Sequence, residues 1–220
     1  MGVLYNLIEK LRFLFLFAVL ILFCLTKAVD AQFGFFEFGN LIFFVLIGFS
    51  LFIIGKGSKA LLLLIAFLMM TEVLCVLLSF LLAHPMVELI KTFFAMLYFL
   101  LMAIVSLRYT LADKTIDVTT LFGSLTAYLF IGLAYAHLYL LIDRLDPQAF
   151  SGMLTNDSSV IYYSFITLTT VGFGDIYPKS PIAQTLSWFE SLTGQAYLAI
   201  IMAQLVGRYV ADTLHLKNKQ

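Results

Sequence analysis

Polar residues in this chain come in short clusters, and between the clusters lie six long apolar runs. They extend from about Phe13 to Val29, Leu41 to Ile54 (with a backward extension over Phe33 to Phe38), Ala60 to Ala83, Met86 to Leu107, Val118 to Ile142 and Leu186 to Leu214. A helix rises 1.5 Å per residue, so crossing ~30 Å of hydrocarbon takes ~20 residues. The runs are close to that length and predict six transmembrane helices. The breaks carry turn chemistry, in Gly55 to Ser58, in His84 and Pro85, and in Ala112 to Lys114. The first run is too long for a signal peptide, and Lys27 and Asp30 stand where a small-residue cleavage site would be. One longer connection, Asp143 to Asp157, contains Pro147, Gly152 and Asn156. It leads into a short seventh helix that Asp157, Ser158 and Ser159 start and that runs to about Thr169.

Composition agrees with a bilayer. Hydrophobic residues make up 62% and charged residues 12% of the 220 positions, and the mean hydropathy is +1.03. An ordinary soluble domain of that composition would expose far too much apolar surface. Formal net charge is zero, so nothing points to a nucleic-acid partner; the lipid bilayer is the implied surrounding. Cys24 and Cys75 both fall inside apolar runs, which argues against a disulfide or a metal site.

Charge between the runs gives an orientation. With a cytoplasmic amino terminus, the inner side holds Lys10, Arg12, Lys56, Lys59, Arg108, Lys114, Arg208, Lys217 and Lys219, nine against the four outer residues Lys27, Lys91, Arg144 and Lys179. That is the positive-inside bias, and it puts both termini in the cytoplasm of a multi-pass protein of the plasma or inner membrane.

The chemistry concentrates in Thr169 to Asp175, reading Thr-Thr-Val-Gly-Phe-Gly-Asp. Gly172 and Gly174 accept positive φ without a Cβ penalty, so carbonyls that would alternate in direction can be turned the same way. The carbonyls of Thr170, Val171, Gly172 and Phe173, with the Thr170 hydroxyl, then form a row able to replace the water around a bare cation. Val171 and Phe173 point away from the axis. One chain supplies one wall only, so the motif implies a symmetric oligomer around a central pore.

These residues resemble the selectivity filter of potassium channels, and the likeness extends back through Tyr162, Tyr163 and Ser164 and forward through Pro178 to Gly194, over roughly the last hundred residues. The resemblance implies an all-α membrane protein with six transmembrane helices, a re-entrant pore helix and a filter loop. Residues 1–114 would form a peripheral four-helix domain, 115–214 the pore domain and 215–220 a short tail. Three identical subunits would complete a homotetramer, with K+ as the permeant ion at Thr170, Val171, Gly172, Phe173 and Gly174 and no other cofactor. The filter would open outward at Asp175, in agreement with the charge bias, and the Asp143 to Asp157 connection resembles an extracellular turret. The carboxyl end of the pore helix would place a partial negative charge toward a dehydrating cation.

Departures from the family pattern are informative. Phe173 stands where tyrosine is usual, so a hydroxyl that could anchor the filter is missing. Ile166 stands where some bacterial channels carry a glutamate, and Tyr162 replaces a tryptophan while keeping a hydroxyl for Asp175. Tyr162, Tyr163, Asp175 and Glu190 are the candidate filter supports, the tyrosines being equally readable as an aromatic cuff. Gly194 follows Gly172 by 22 residues, the spacing of the inner-helix glycine; it reads as a gating hinge or as a point of close packing. Leu198, Met202 and Leu205 are expected to line the cavity, and Val206, Tyr209 and Val210 to close its inner mouth.

Two carboxyls lie inside apolar runs, where a charge is costly. Glu190 is expected to face the back of the pore helix near Ser164 or Thr167, and Glu72 to make a helix-packing hydrogen bond. The histidines have no metal-ligand spacing, and His137 reads as a satisfied helix residue. No nucleophile stands beside a base and no loop cradles phosphate, so an enzyme is not expected. Only six residues follow the pore domain, too few for a cytoplasmic ligand-binding domain, so regulation by one would need a separate subunit or further chain. The fourth run carries Lys91 and Arg108 only, 17 residues and ~26 Å apart, so each reaches its own interface and no ladder of gating charges is present. The expected activity is potassium-selective and largely voltage-independent, the alternative being a non-selective monovalent cation channel.

Overall fold

A computed structural model describes residues 2–34, 42, 46, 59–82, 84–112, 118–152, 154 and 157–217, with the side chains of 2–11 and of most positions after 201 excepted. Among these residues the elements are α1 (Gly2–Phe33), α2 (Lys59–Leu82), α3 (Pro85–Ala112), α4 (Val118–Leu145), β1 (Phe150–Ser151), α5 (Asp157–Leu168), β2 (Tyr177–Pro178) and α6 (Pro181–Lys217). The second apolar run, Leu41 to Ile54, lies almost wholly outside them.

Each long helix buries one stripe and turns the rest outward. In α1 the stripe is Phe13, Leu16, Leu20 and Phe23, at helical spacing, while Phe15, Leu22 and Leu25 are exposed. In α2 it is Ile65, Leu68, Glu72 and Cys75, with Leu63, Phe67, Met70 and Leu77 outside. An exposed surface this apolar has lipid as its solvent. Arg12–Phe33, Lys59–Ser79, Pro85–Leu111 and Thr120–Leu145 are long and apolar enough to cross a membrane. The 37-residue α6 is long enough too, but Glu190, Gln195, Gln204 and Arg208 make it more polar.

At the centre stands α4, against which α1, α3, α5 and α6 all pack; α2 packs on α3. Small residues on its inner face, Ala127, Gly132, Ala134 and Ala136, let neighbours approach. A methyl group at Gly132 would lie 2.8 Å from the ring of Phe165 on α5. An aromatic knot of Phe23, Tyr98, Phe99, Phe130 and His137 joins α1, α3 and α4. His137 gives its Nδ1 to the carbonyl of Leu133 at 2.8 Å, the satisfied helix histidine expected. Cys24 and Cys75 are free thiols.

Before α5 the chain makes a short antiparallel ladder that sequence reading did not foresee, pairing Phe150 with Pro178 and Ser151 with Tyr177. Its turn presses on the motif: a Cβ at Gly152 (φ +99°) would lie 2.9 Å from the Asp175 carbonyl oxygen. The start of α6 follows capping rules. The Ser180 hydroxyl accepts from the Ala183 amide at 3.2 Å, and Pro181 occupies the first helical position, where its missing N–H costs nothing.

Candidate functional site

Between α5 and β2 the chain runs through the Thr170 to Gly174 segment with positive φ at every second residue: 59° at Thr170, 54° at Gly172 and 81° at Gly174. Alternation of left-handed and ordinary backbone is what permits successive carbonyls to share one side. The two glycines take that φ freely. Thr170 does not, since a β-branched residue with positive φ is a conformational outlier that costs ~1–3 kcal/mol.

The amides of the segment are tied to the end of α5. Thr170 N donates to Thr167 O at 3.0 Å, and Val171 N and Gly172 N both donate to Ile166 O, at 2.8 and 3.1 Å. Thr169 adds its amide and hydroxyl to Phe165 O, at 3.0 and 2.6 Å. With the donors facing the helix, the carbonyls of residues 170–173 accept no hydrogen bond from any described residue. Such a row of oxygens, unpartnered among the described residues, suits a cation that must shed water. The side chains of Val171 and Phe173 point out of the chain, Phe173 being 71% exposed.

The last carbonyls of α5 are also covered. The Ser191 hydroxyl of α6 donates to Thr167 O at 3.0 Å, and the Tyr128 hydroxyl of α4 donates to Leu168 O at 3.3 Å. Gly194 lies over the same carbonyl, and a Cβ built there would be 2.0 Å from Leu168 O. Backbone therefore meets backbone at this point, which accounts for the glycine by packing; α6 runs unbroken through it.

Two carboxyls brace α5 and the segment. At the outer end the Tyr162 hydroxyl donates to Asp175 Oδ2 at 2.9 Å, the bond anticipated from the motif. On the buried face Glu190, 0% exposed, takes the Tyr139 hydroxyl on Oε2 and the Ser164 hydroxyl on Oε1, each at 2.6 Å. Ser164 Oγ also lies 2.7 Å from Gly132 O. A hydroxyl has one proton to give, so all these contacts are satisfied together when Glu190 carries a proton that it donates to Ser164. Tyr163 serves the back of α5 rather than the segment: its hydroxyl meets Ser187 Oγ at 2.7 Å, and its ring packs on Tyr139 and Phe150.

Several interactions had no clear sequence signal. Gln195 Nε2 donates to Thr170 Oγ1 at 3.2 Å; a glutamine in an apolar run was the available hint. Lys27 of α1 pairs with Asp157, the first residue of α5, at 2.7 Å across 130 positions. Burial pushes the Asp157 carboxyl up, but the Lys27 charge and hydrogen bond, aided by His137 and Lys91, outweigh it and hold the group at about 2. Beside this pair a cavity of about 40 Å³ is lined by Glu72, Lys91, Thr92, His137 and Arg144. Glu72 is 3% exposed, and its Oε1 has no hydrogen-bond partner, so the expected packing bond is not made there. Arg144 reaches the Glu88 carbonyl and the Thr92 hydroxyl, and Lys91 pairs with Glu88 at 2.8 Å.

Of the inner-mouth residues, Leu198 and Val210 lie exposed on α6. Met202, Leu205, Val206 and Tyr209 belong to the same helix, with side chains outside the described set. No cluster of three or more potential metal-ligating side chains occurs among the described residues.

Residues 123–211 match the family model described as an ion channel. The chain is 28% identical over 119 residues to the human voltage-gated potassium channel regulatory subunit KCNG1, covering 51% of this chain and 23% of that one. It is 45% identical over 51 residues to the rat potassium channel subfamily K member 4, covering 20% and 13%. It is 29% identical over 86 residues to the inward rectifier potassium channel Kirbac3.1 of Paramagnetospirillum magnetotacticum, covering 39% and 28%. The matched stretches thus span only 13% to 28% of these relatives. No solved structure matches the chain. Residues 123–211 are thus similar to the ion-channel family, and the relatives matched are named as potassium channels or a regulatory subunit of one.

Proposed function

We propose that the chain is one subunit of a potassium-selective channel in which four copies surround a common axis. The observation that carries this reading is the segment from Thr170 to Gly174, where alternating φ and amides tied to Ile166 and Thr167 leave four carbonyls without a partner among the described residues, beside the Thr170 hydroxyl. A potassium ion entering the row exchanges its water for these oxygens, one wall from each subunit. The exposed Val171 and Phe173 side chains, with Trp188, Phe189 and Leu192 of α6, offer each copy an apolar face for the next.

In this reading the six apolar runs cross the membrane with both termini in the cytoplasm of the cell membrane, and the first four helices surround the pore as a scaffold. Voltage has little to act on. Lys91 is held by Glu88 near the outer start of α3, and Arg108 is exposed near its other end. The face between them is Phe94, Leu97, Leu101 and Ile104. Moving one charge across 100 mV yields only ~2.3 kcal/mol, so steep gating needs several per subunit.

The test is the reversal potential of the purified protein in lipid under opposed potassium and sodium gradients. Potassium selectivity places it near the potassium equilibrium potential; a value near zero identifies a non-selective cation channel, and no current at all removes the channel reading. Open probability recorded between strongly negative and strongly positive potentials should be nearly constant. A steep sigmoid would overturn the scaffold role.

A further inference from the structure

We infer that Gln195 tunes the innermost ion position of the pore, keeping it weak enough for ions to leave. The inference rests on the filter reading above. Thr170 Oγ1 is the only side-chain oxygen in the row of ligands, and it lies at the end that faces the inner cavity. Gln195 Nε2 donates to that oxygen at 3.2 Å.

The register that brings the amide there is fixed by its neighbours. Gly194 lets α6 lie directly on the Leu168 carbonyl, and Ser191, one turn earlier, bonds to Thr167 O at 3.0 Å. Ser191, Gly194 and Gln195 therefore address the end of α5 and the start of the segment in sequence. The positive φ of Thr170 turns the residue away from the ordinary backbone direction.

The consequence follows from the chemistry of a hydroxyl, which has one proton and two lone pairs. An N–H directed at the oxygen occupies one lone pair and sets a partly positive hydrogen beside it. A cation approaching the same oxygen finds fewer electrons and a repelling neighbour. Conduction requires every site to bind well enough to be entered and weakly enough to be left. The innermost site is the one that exchanges ions with the cavity, so a donor placed there speeds exit. Gln195 touches Thr170 and not the ion, and is a positioning residue.

The experiment uses the full chain in planar bilayers with potassium on both sides. Outward single-channel conductance is measured as cytoplasmic potassium is raised. For Gln195→Leu the half-saturating concentration should fall by about 2- to 10-fold, the range of one net hydrogen bond, with a lower limiting conductance. For Gln195→Glu, which accepts where glutamine donates, it should fall further. Saturation of inward current by external potassium serves as the control and should move less. On a Thr170→Val background, which lacks the hydroxyl, Gln195→Leu should cause no shift. If that background does not conduct, Thr170→Ser, which keeps the hydroxyl, must retain the full shift. An unchanged or raised half-saturation in Gln195→Leu, an equal shift in Thr170→Val, or its loss in Thr170→Ser overturns the inference. A wild type without potassium selectivity overturns the filter reading instead; a selective wild type with an unshifted variant overturns only the role of Gln195.

Discussion

Replacing Glu190 tests whether a buried carboxyl holds the pore helix in place. Its two oxygens meet the hydroxyls of Tyr139 and Ser164, each at 2.6 Å. In Glu190→Leu, Ser164 still reaches the Gly132 carbonyl at 2.7 Å, but the Tyr139 hydroxyl is left in a residue that is itself 0% exposed. A buried donor without a partner costs ~1–3 kcal/mol, so each subunit should lose about that much stability. Glu190→Gln should lose less than ~1 kcal/mol, because the amide oxygen accepts from Tyr139, the amide N–H donates to Ser164, and Ser164 donates to Gly132. The double variant Glu190→Leu with Tyr139→Phe removes donor and acceptor together and should be more stable than Glu190→Leu alone. Thermal melting of the purified assembly in lipid, read beside potassium flux, checks the series. Equal damage from Gln and Leu, or strictly additive losses in the double variant, would refute the hydrogen-bond account.

Gly194→Ala should impair assembly or folding of the pore by ~1–3 kcal/mol or more even though alanine favours a helix by ~1 kcal/mol, since its methyl would lie 2.0 Å from a backbone oxygen; a fully assembled variant altered only in open probability would favour the hinge. Gly172→Ala should abolish potassium selectivity, because its φ of 54° strains any side chain, and unchanged permeation measured by reversal potential would remove the filter assignment. For Asp157, burial raises the carboxyl pKa and Lys27 more than reverses it, so the folded value of about 2 lies below the ordinary 3.8. Its contribution is therefore present above ~4 and lost as pH falls from ~4 through ~2; melting of the wild type should show no Asp157-linked loss between pH 7 and pH 5, and in Lys27→Met, where burial is left uncompensated, the loss below pH ~4 should vanish or reverse, an undiminished loss refuting the pairing.

What the sequence discloses depends on how local the physics is. The alternating φ of residues 170–174 was legible because it is written in glycines at alternate positions, though the left-handed Thr170 was not, as threonine carries no such mark. The Tyr162 to Asp175 bond was legible through the resemblance to the filter motif, which places a donor at that position. Glu190 had to find a partner, and Ser164 was foreseen; Tyr139 was missed because α4 is apolar all round and its rotation is set by packing. The Lys27 to Asp157 pair joins residues 130 positions apart, and charge counting saw only two residues near an interface. Gly194 offered two readings of one residue, and the distance to Leu168 O, which supplies a packing reason for it, could not be read from the sequence.

These anchors have a common object. Helix α5 is held at its first residue by Lys27, midway by Ser187 and Glu190 through Tyr163 and Ser164, and at its last carbonyls by Ser191 and Tyr128. Each is worth on the order of 1 kcal/mol, while the left-handed Thr170 alone costs ~1–3 kcal/mol. No single anchor secures the segment, but several acting on one rigid helix do. The first of them comes from α1, outside the module that residues 123–211 define. Lys27→Met should therefore loosen the start of α5 although it lies outside that module, and proteolysis or hydrogen exchange at residues 157–168 that is unchanged in the variant would show that the ion pair is not an anchor.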